Sequence, residues 1–193
     1  SAYYPRQEMV IKSGKTGWAE QDPEMWWENL KKATKAIFSE TEINPIHIKA
    51  IGISYQMHGL VLVDSNQKAI RDAIIWCDSR AVSLGDKAFQ DLGKSTCLEH
   101  LLNSPANFTL SKLAWVKEHE PDVFSKTRYY MLPGDYIAMR MTGKVATTTT
   151  VLSEGITWDF KRNMQATFLF DYWGINQDIV PGLVPVFGEQ GRL

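Results

Sequence analysis

The spacing of apolar residues changes several times along the chain. After Asp22-Pro23, residues Met25, Trp26, Leu30, Ala33 and Ile37 recur at three- and four-residue intervals. That spacing predicts an amphipathic helix over about 23–39, with Asp22 as N-cap and Pro23 in the first turn. Asn44-Pro45 is a break, and Ile46 to Tyr55 reads as an Ile-rich strand bounded by the His58-Gly59 turn. Leu60–Val63 is a second strand, paired either with Ala73–Trp76 or with the preceding strand; Asp64-Ser65-Asn66-Gln67 is turn chemistry. Residues 79–92 read as a helix, and 93–108 as a polar connection with a short helix around 96–102. A helix over about 109–119 takes Thr109 or Asn107 as its cap and ends at Pro121. Arg128–Leu132 is a short strand, and 134–141 a helix stopped by Thr142-Gly143. The β-branched tract Thr147–Thr150 favours a strand or extended loop. Phe168, Leu169, Phe170, Tyr172 and Trp173 mark a last helix, and Pro181 and Pro185 frame an extended exit. Helices and strands mix throughout without an internal repeat, so the class is α/β.

Two apolar runs end in unusual polar clusters, Gln56-Met57-His58-Gly59 and Trp76-Cys77-Asp78-Ser79-Arg80. Open α/β sheets bind ligands at the carboxyl ends of their strands, and these side chains suit a small polyhydroxylated ligand. His58 can donate to or accept from a hydroxyl, and Gly59 permits close backbone approach. Trp76 is either a stacking face for the C–H side of a sugar or a core residue. Asp78, fixed by Arg80, either binds hydroxyls or caps the next helix. A base for phosphoryl transfer needs a carboxylate near the acceptor hydroxyl, and Asp135, Glu154 and Asp159 are later candidates. Asp135 also suits a helix first turn, and Asp159 a turn.

Composition narrows the partners. With 193 residues and 44% hydrophobic content, one sizeable core and one domain are expected. A formal net charge of −1, with basic runs no longer than Lys31-Lys32 and Lys161-Arg162, argues against nucleic acid and anionic membrane. Cys77 and Cys97 have no metal-type spacing and form no disulfide framework, so a reducing compartment, the cytoplasm, is expected. No apolar run is long enough to span a bilayer. His47, His58, His100 and His119 lack zinc-hydrolase spacing, and there is no Gly-x-Ser-x-Gly elbow. Ser13-Gly14-Lys15-Thr16 lacks the leading glycine of a phosphate loop. The opening Ser1-Ala2-Tyr3-Tyr4, without an initiating Met, reads as the middle of something longer.

Several segments together resemble the FGGY carbohydrate kinases, nearest to the xylulokinase branch. They are Gly17-Trp18-Ala19-Glu20-Gln21-Asp22-Pro23-Glu24-Met25-Trp26-Trp27, Gln56-Met57-His58-Gly59, and Ile75-Trp76-Cys77-Asp78-Ser79-Arg80. Lys112-Leu113-Ala114-Trp115-Val116-Lys117-Glu118-His119-Glu120-Pro121 and Leu132-Pro133-Gly134-Asp135-Tyr136 continue the register. The resemblance implies an actin-like, ribonuclease-H-like α/β fold, a mixed sheet flanked by helices and here incomplete at its N-terminal strands. It also implies a sugar-binding first domain and an ATP-binding second domain. Met57 and His58 would line the sugar pocket beside Gln56, with Trp76 as a wall, Asp78 facing hydroxyls and Arg80 behind it. ATP with Mg²⁺ would be the donor, held mostly outside this chain, and D-xylulose 5-phosphate the product. Gluconate- or ribulose-type kinases and a non-catalytic sugar-binding module are the alternatives.

The family's leading Asp-x-Gly-Thr hairpin and its second domain have no counterpart in these residues, so the chain is expected to be a sugar-binding part that is inactive alone. An unpaired sheet edge would favour self-association, a homodimer included. For the base, ungapped counting back from Trp158-Asp159-Phe160 puts Val151 at the family's Asp position, and a small gap brings Glu154 there. Glu154 is therefore the expected base, with Asp78 as the fallback.

Overall fold

The computed structural model describes residues 1–193. Strand β1 (Glu20–Gln21) leads into helix α1 (Pro23–Glu40). Asp22 Oδ1 accepts from the Glu24 amide at 2.9 Å, and Pro23 occupies the first turn, where its missing N–H costs nothing. After a single 3₁₀ turn at Pro45–His47 come strands β2 (Val61–Val63) and β3 (Ala73–Ile74). Helices α2 (Val82–Asp91), α3 (Lys94–Leu101), α4 (Thr109–His119) and α5 (Pro121–Phe124) follow. Then come β4 (Tyr129–Met131), α6 (Pro133–Thr142), β5 (Ala146–Thr147) and α7 (Thr149–Glu154). Strands β6 (Trp158–Asp159) and β7 (Met164–Gln165), helix α8 (Thr167–Tyr172) and strand β8 (Gly182–Leu183) complete the chain.

The sheet is built from short pairings. β2 runs antiparallel to β4, with Val61 opposite Met131 and Val63 opposite Tyr129. β1 runs antiparallel to β3, and a Leu60–Ile74 bridge joins that pair to the start of β2. β5 and β8 are parallel; β6 and β7 are antiparallel. Leu60 and Leu62 face a core with Leu110, Leu113, Val116, Leu152, Leu169 and Phe170. Val61 and Val63 face a second cluster with Met131, Tyr136 and Met139, onto which Trp26, Trp27 and Leu30 of α1 pack. The alternation follows from strand geometry, since neighbouring side chains point to opposite faces.

The structure departs from the sequence expectations at four places. Ile46 to Tyr55 is not a strand: Ile46 sits in the 3₁₀ turn, and 48–56 joins no ladder. Its isoleucines are exposed, Ile46 by 74% and Ile51 by 53%. Leu60–Val63 finds its main partner in β4; Ala73–Trp76 contributes the Leu60–Ile74 bridge, and the residues before it add a Val63–Ala69 bridge and an Ile70 amide bond to the Leu62 carbonyl (3.0 Å). The threonine tract turns helical after Thr147 because the Thr148 hydroxyl accepts from the Val151 amide (3.4 Å) and starts α7. Neither Thr109 nor Asn107 caps α4: Thr109 donates to the Gly59 carbonyl (3.4 Å), and Asn107 to that of Asp78. Both polar side chains serve the two turns singled out above instead of their own helix.

Candidate functional site

The first turn is held from three sides. Tyr55 lays its ring on Gly134 at the start of α6, where an added Cβ would meet ring carbons at 2.2 Å. Gly59 lies against Pro133, which an added Cβ would meet at 2.6 Å. Between them His58 adopts a left-handed backbone, φ 57°, a conformation a non-glycine residue holds only when neighbours enforce it. The neighbours are plain. The His58 amide donates to Glu154 Oε1 (2.6 Å), and Lys112 Nζ donates to the His58 carbonyl (2.8 Å). His58 Nδ1 lies 3.3 Å from the Glu154 carbonyl oxygen, and the ring meets Phe108 edge-on at 4.3 Å. Glu154 Oε2 accepts from the Tyr55 hydroxyl (2.9 Å). Burial holds the His58 pKa below its ordinary value of 6.5; Glu154 opposes that shift and Lys112 reinforces it.

The second turn centres on Asp78, which is fully buried. Its carboxylate accepts from the Ala19 amide (2.6 Å), the Arg80 amide (2.9 Å), and Arg80 Nε and Nη2 (2.9 and 2.7 Å). Arg80 in turn lies over the Trp18 ring at 3.9 Å and reaches Glu20 (2.7 Å). Asp78 was expected to face hydroxyls or cap a helix. Here it is sealed in an ion pair, and α2 takes Ala81 as its N-cap. A carboxylate so enclosed and engaged offers no free oxygen to an acceptor hydroxyl, which argues against the fallback base.

Gln56 joins the two turns: its Oε1 accepts from the Trp76 amide at 2.9 Å. Met57 and Trp76 are each 56% exposed, open apolar surfaces on the joined turns. Glu154 is partly exposed, but each oxygen already holds a protein donor, so its geometry is that of an anchor. Of the expected residues, then, Gln56, Met57, His58, Trp76 and Glu154 lie on or against the joined turns, and Asp78 and Arg80 are buried as a pair within the second. Asp159 is the last residue of β6, where it accepts from the Lys161 and Arg162 amides of the following turn and from His100.

One contributor, Lys112, was not singled out as a site residue by sequence reasoning. Lys112 is fully buried in α4; burial pulls its pKa down to about 8, with Asp78 and Cys77 acting in the opposite direction. The signal was available: a lysine in the run Leu110 to Val116, every member of which is buried, needs an acceptor inside the fold. Asp135, read as a first-turn acid, is also buried, and burial with the nearby Glu154 charge raises its pKa to about 7.

An apolar concavity of about 420 Å³ lies alongside, lined by Trp26, Leu30, Ile51, Ile53, Pro133 and Ile137 among others. Tyr55 and Gln56 also border it, but His58 and Trp76 do not. No three His, Cys, Asp or Glu side chains converge to hold a metal ion, so these residues do not by themselves fit Mg²⁺. No helix is long and apolar enough to cross a membrane.

Residues 4–191 match the model of the N-terminal domain of the FGGY family of carbohydrate kinases. Xylulose kinase of Bacillus subtilis (strain 168) is 35% identical over 175 residues, 88% of this chain and 34% of that protein. Xylulose kinase of Escherichia coli (strain K12) is 32% identical over 166 residues, 86% of this chain and 34% of that protein. The crystal structure of a "xyloylose kinase" from Brucella ovis superposes with a TM-score of 0.83 at 28% identity, covering 92% of this chain and 37% of that one. The chain thus spans about a third of the length of the curated relatives it matches.

Proposed function

The chain belongs to the FGGY family of carbohydrate kinases, and from that membership we propose that its protein is an ATP-dependent kinase acting on a ketopentose, D-xylulose being the favoured substrate and D-xylulose 5-phosphate the product. The observation that carries this reading is the 32–35% identity to two xylulose kinases over most of the chain. The joined turns are compatible with it. Trp76 and Met57 offer apolar surface to the C–H side of a small sugar, and His58 and Gln56 offer polar atoms to its hydroxyls.

ATP with Mg²⁺ is the donor in this reading. The 193 residues bring it neither a carboxylate cluster nor a phosphate-cradling glycine loop, so their part is to bind and orient the acceptor. The test is ATP consumption by the full-length protein against D-xylulose, D-ribulose, gluconate and glycerol. The largest stimulation is expected from D-xylulose. A preference for gluconate would move the substrate within the family. Sugar binding by calorimetry with no turnover on any sugar would replace the kinase with a binding module.

A further inference from the structure

We propose that Glu154 is a positioning residue that fixes His58 as the Nδ1–H tautomer, so that Nε2 stands ready to accept a hydrogen bond from a ligand hydroxyl. The argument begins at Nδ1. The nearest partner of that nitrogen is the backbone carbonyl oxygen of Glu154 (3.3 Å), with Glu154 Oε1 beyond it at 3.9 Å. A carbonyl and a carboxylate only accept, so Nδ1 must carry the hydrogen. Nε2 has no partner in the protein and is not among the buried unpaired atoms, which leaves it accessible. In the neutral ring it is therefore a free acceptor.

The same residue holds the backbone that aims the ring. Oε1 of Glu154 takes the His58 amide, Oε2 takes the Tyr55 hydroxyl, and Lys112 closes the turn at the His58 carbonyl. A left-handed histidine held at its amide, carbonyl and ring has one orientation to offer. The charged and titratable groups that face it are Glu154 from α7 and Lys112 from α4, with Tyr55 and, from α6, Asp135 behind Glu154. The low His58 pKa keeps the ring neutral, and hence an acceptor, at pH 7. The inference rests on the sugar-site reading only for the identity of the hydroxyl.

The tautomer can be read without any ligand. The chain has four histidines, and ¹⁵N-histidine spectra with His58→Gln for assignment isolate the one in question. The expected result is a neutral ring protonated on Nδ1 at pH 7. Glu154→Gln keeps an oxygen for the His58 amide and should retain this spectrum; Glu154→Ala keeps the 154 carbonyl but frees the His58 amide, so the ring turns away from that carbonyl and a tautomer mixture should result. In the full-length protein Glu154→Ala should raise KM for D-xylulose about tenfold, the worth of one hydrogen bond, with Glu154→Gln near wild type. A wild-type ring protonated on Nε2 overturns the proposal, as does a Glu154→Ala spectrum like the wild type. Equal loss of kcat in both variants, with KM unchanged, would make Glu154 the base and overturn it too. If the tautomer is as stated but D-xylulose leaves the His58 signals unmoved, the clamp stands and the sugar-site reading falls.

Discussion

Residues 46–54 and 55–59 are neighbours in the chain and opposites in the fold. The first segment has the stronger strand pattern, with isoleucine at 46, 48, 51 and 53, yet it joins no ladder and leaves those side chains exposed. The second has almost no apolar pattern, yet it is fixed atom by atom by Glu154, Lys112, Pro133 and Gly134. A β-prone run supplies side chains for a sheet face but not the hydrogen-bond partner that makes it a strand. A polar turn with specific donors and acceptors carries its own fixation.

The most severe way to break this contrast is to cut an anchor. Asp78→Ala would strip Arg80, 1% exposed at its side chain, of its bidentate partner and leave Glu20, at 2.7 Å, as its one carboxylate. Breaking one partner of such a pair costs about 3–5 kcal/mol. Urea unfolding should register a loss of that size, and the 76–80 turn should exchange its amides as freely as residues 46–54. A loss below about 1 kcal/mol would mean that Glu20 and the Trp18 and Trp115 rings suffice to hold Arg80.

A somewhat smaller effect comes from pH. Asp135 has a folded pKa of about 7 against an ordinary 3.8, so between those values the folded state binds more protons than the unfolded state. Its contribution is fully present below about pH 4 and is lost as pH rises through about 7, an effect of at most about 4 kcal/mol. Asp135→Asn should remove that slope from the unfolding midpoint measured between pH 4.5 and 8. An unchanged slope would place the titration elsewhere.

What could be read in advance divides along the same line. Helix α1 with its Asp22-Pro23 start, α4, α6 and strands β2 and β4 follow from local periodicity and punctuation, which the chain carries within each element. The two polar turns were legible as places of interest because histidine, tryptophan and aspartate clustered where apolar runs stopped. Their wiring was not, because it is long-range: Glu154 reaches His58 across 96 positions and Lys112 across 54. The burial of Asp78 depended on the Ala19 amide, 59 residues away, which no local pattern announces. The threonine tract misled for the opposite reason. Its β propensity was outweighed by one capping hydroxyl at Thr148.

The mildest test sets two glycines against each other, one in each region. An alanine Cβ at Gly59 would meet Pro133 Cγ at 2.6 Å and Cδ at 3.0 Å, atoms of a rigid ring at the start of α6. The turn or the helix must shift, and such overpacking costs about 1–3 kcal/mol. At Gly52 an added Cβ meets nothing within 4 Å, and the backbone there is not left-handed. Gly52→Ala should therefore be neutral or stabilise by up to about 1 kcal/mol, because it narrows the unfolded ensemble at no steric cost. Paired unfolding curves for Gly52→Ala and Gly59→Ala read the difference directly. Equal losses at the two positions would mean that residues 46–54 are packed against something after all, and the contrast between the segments would disappear.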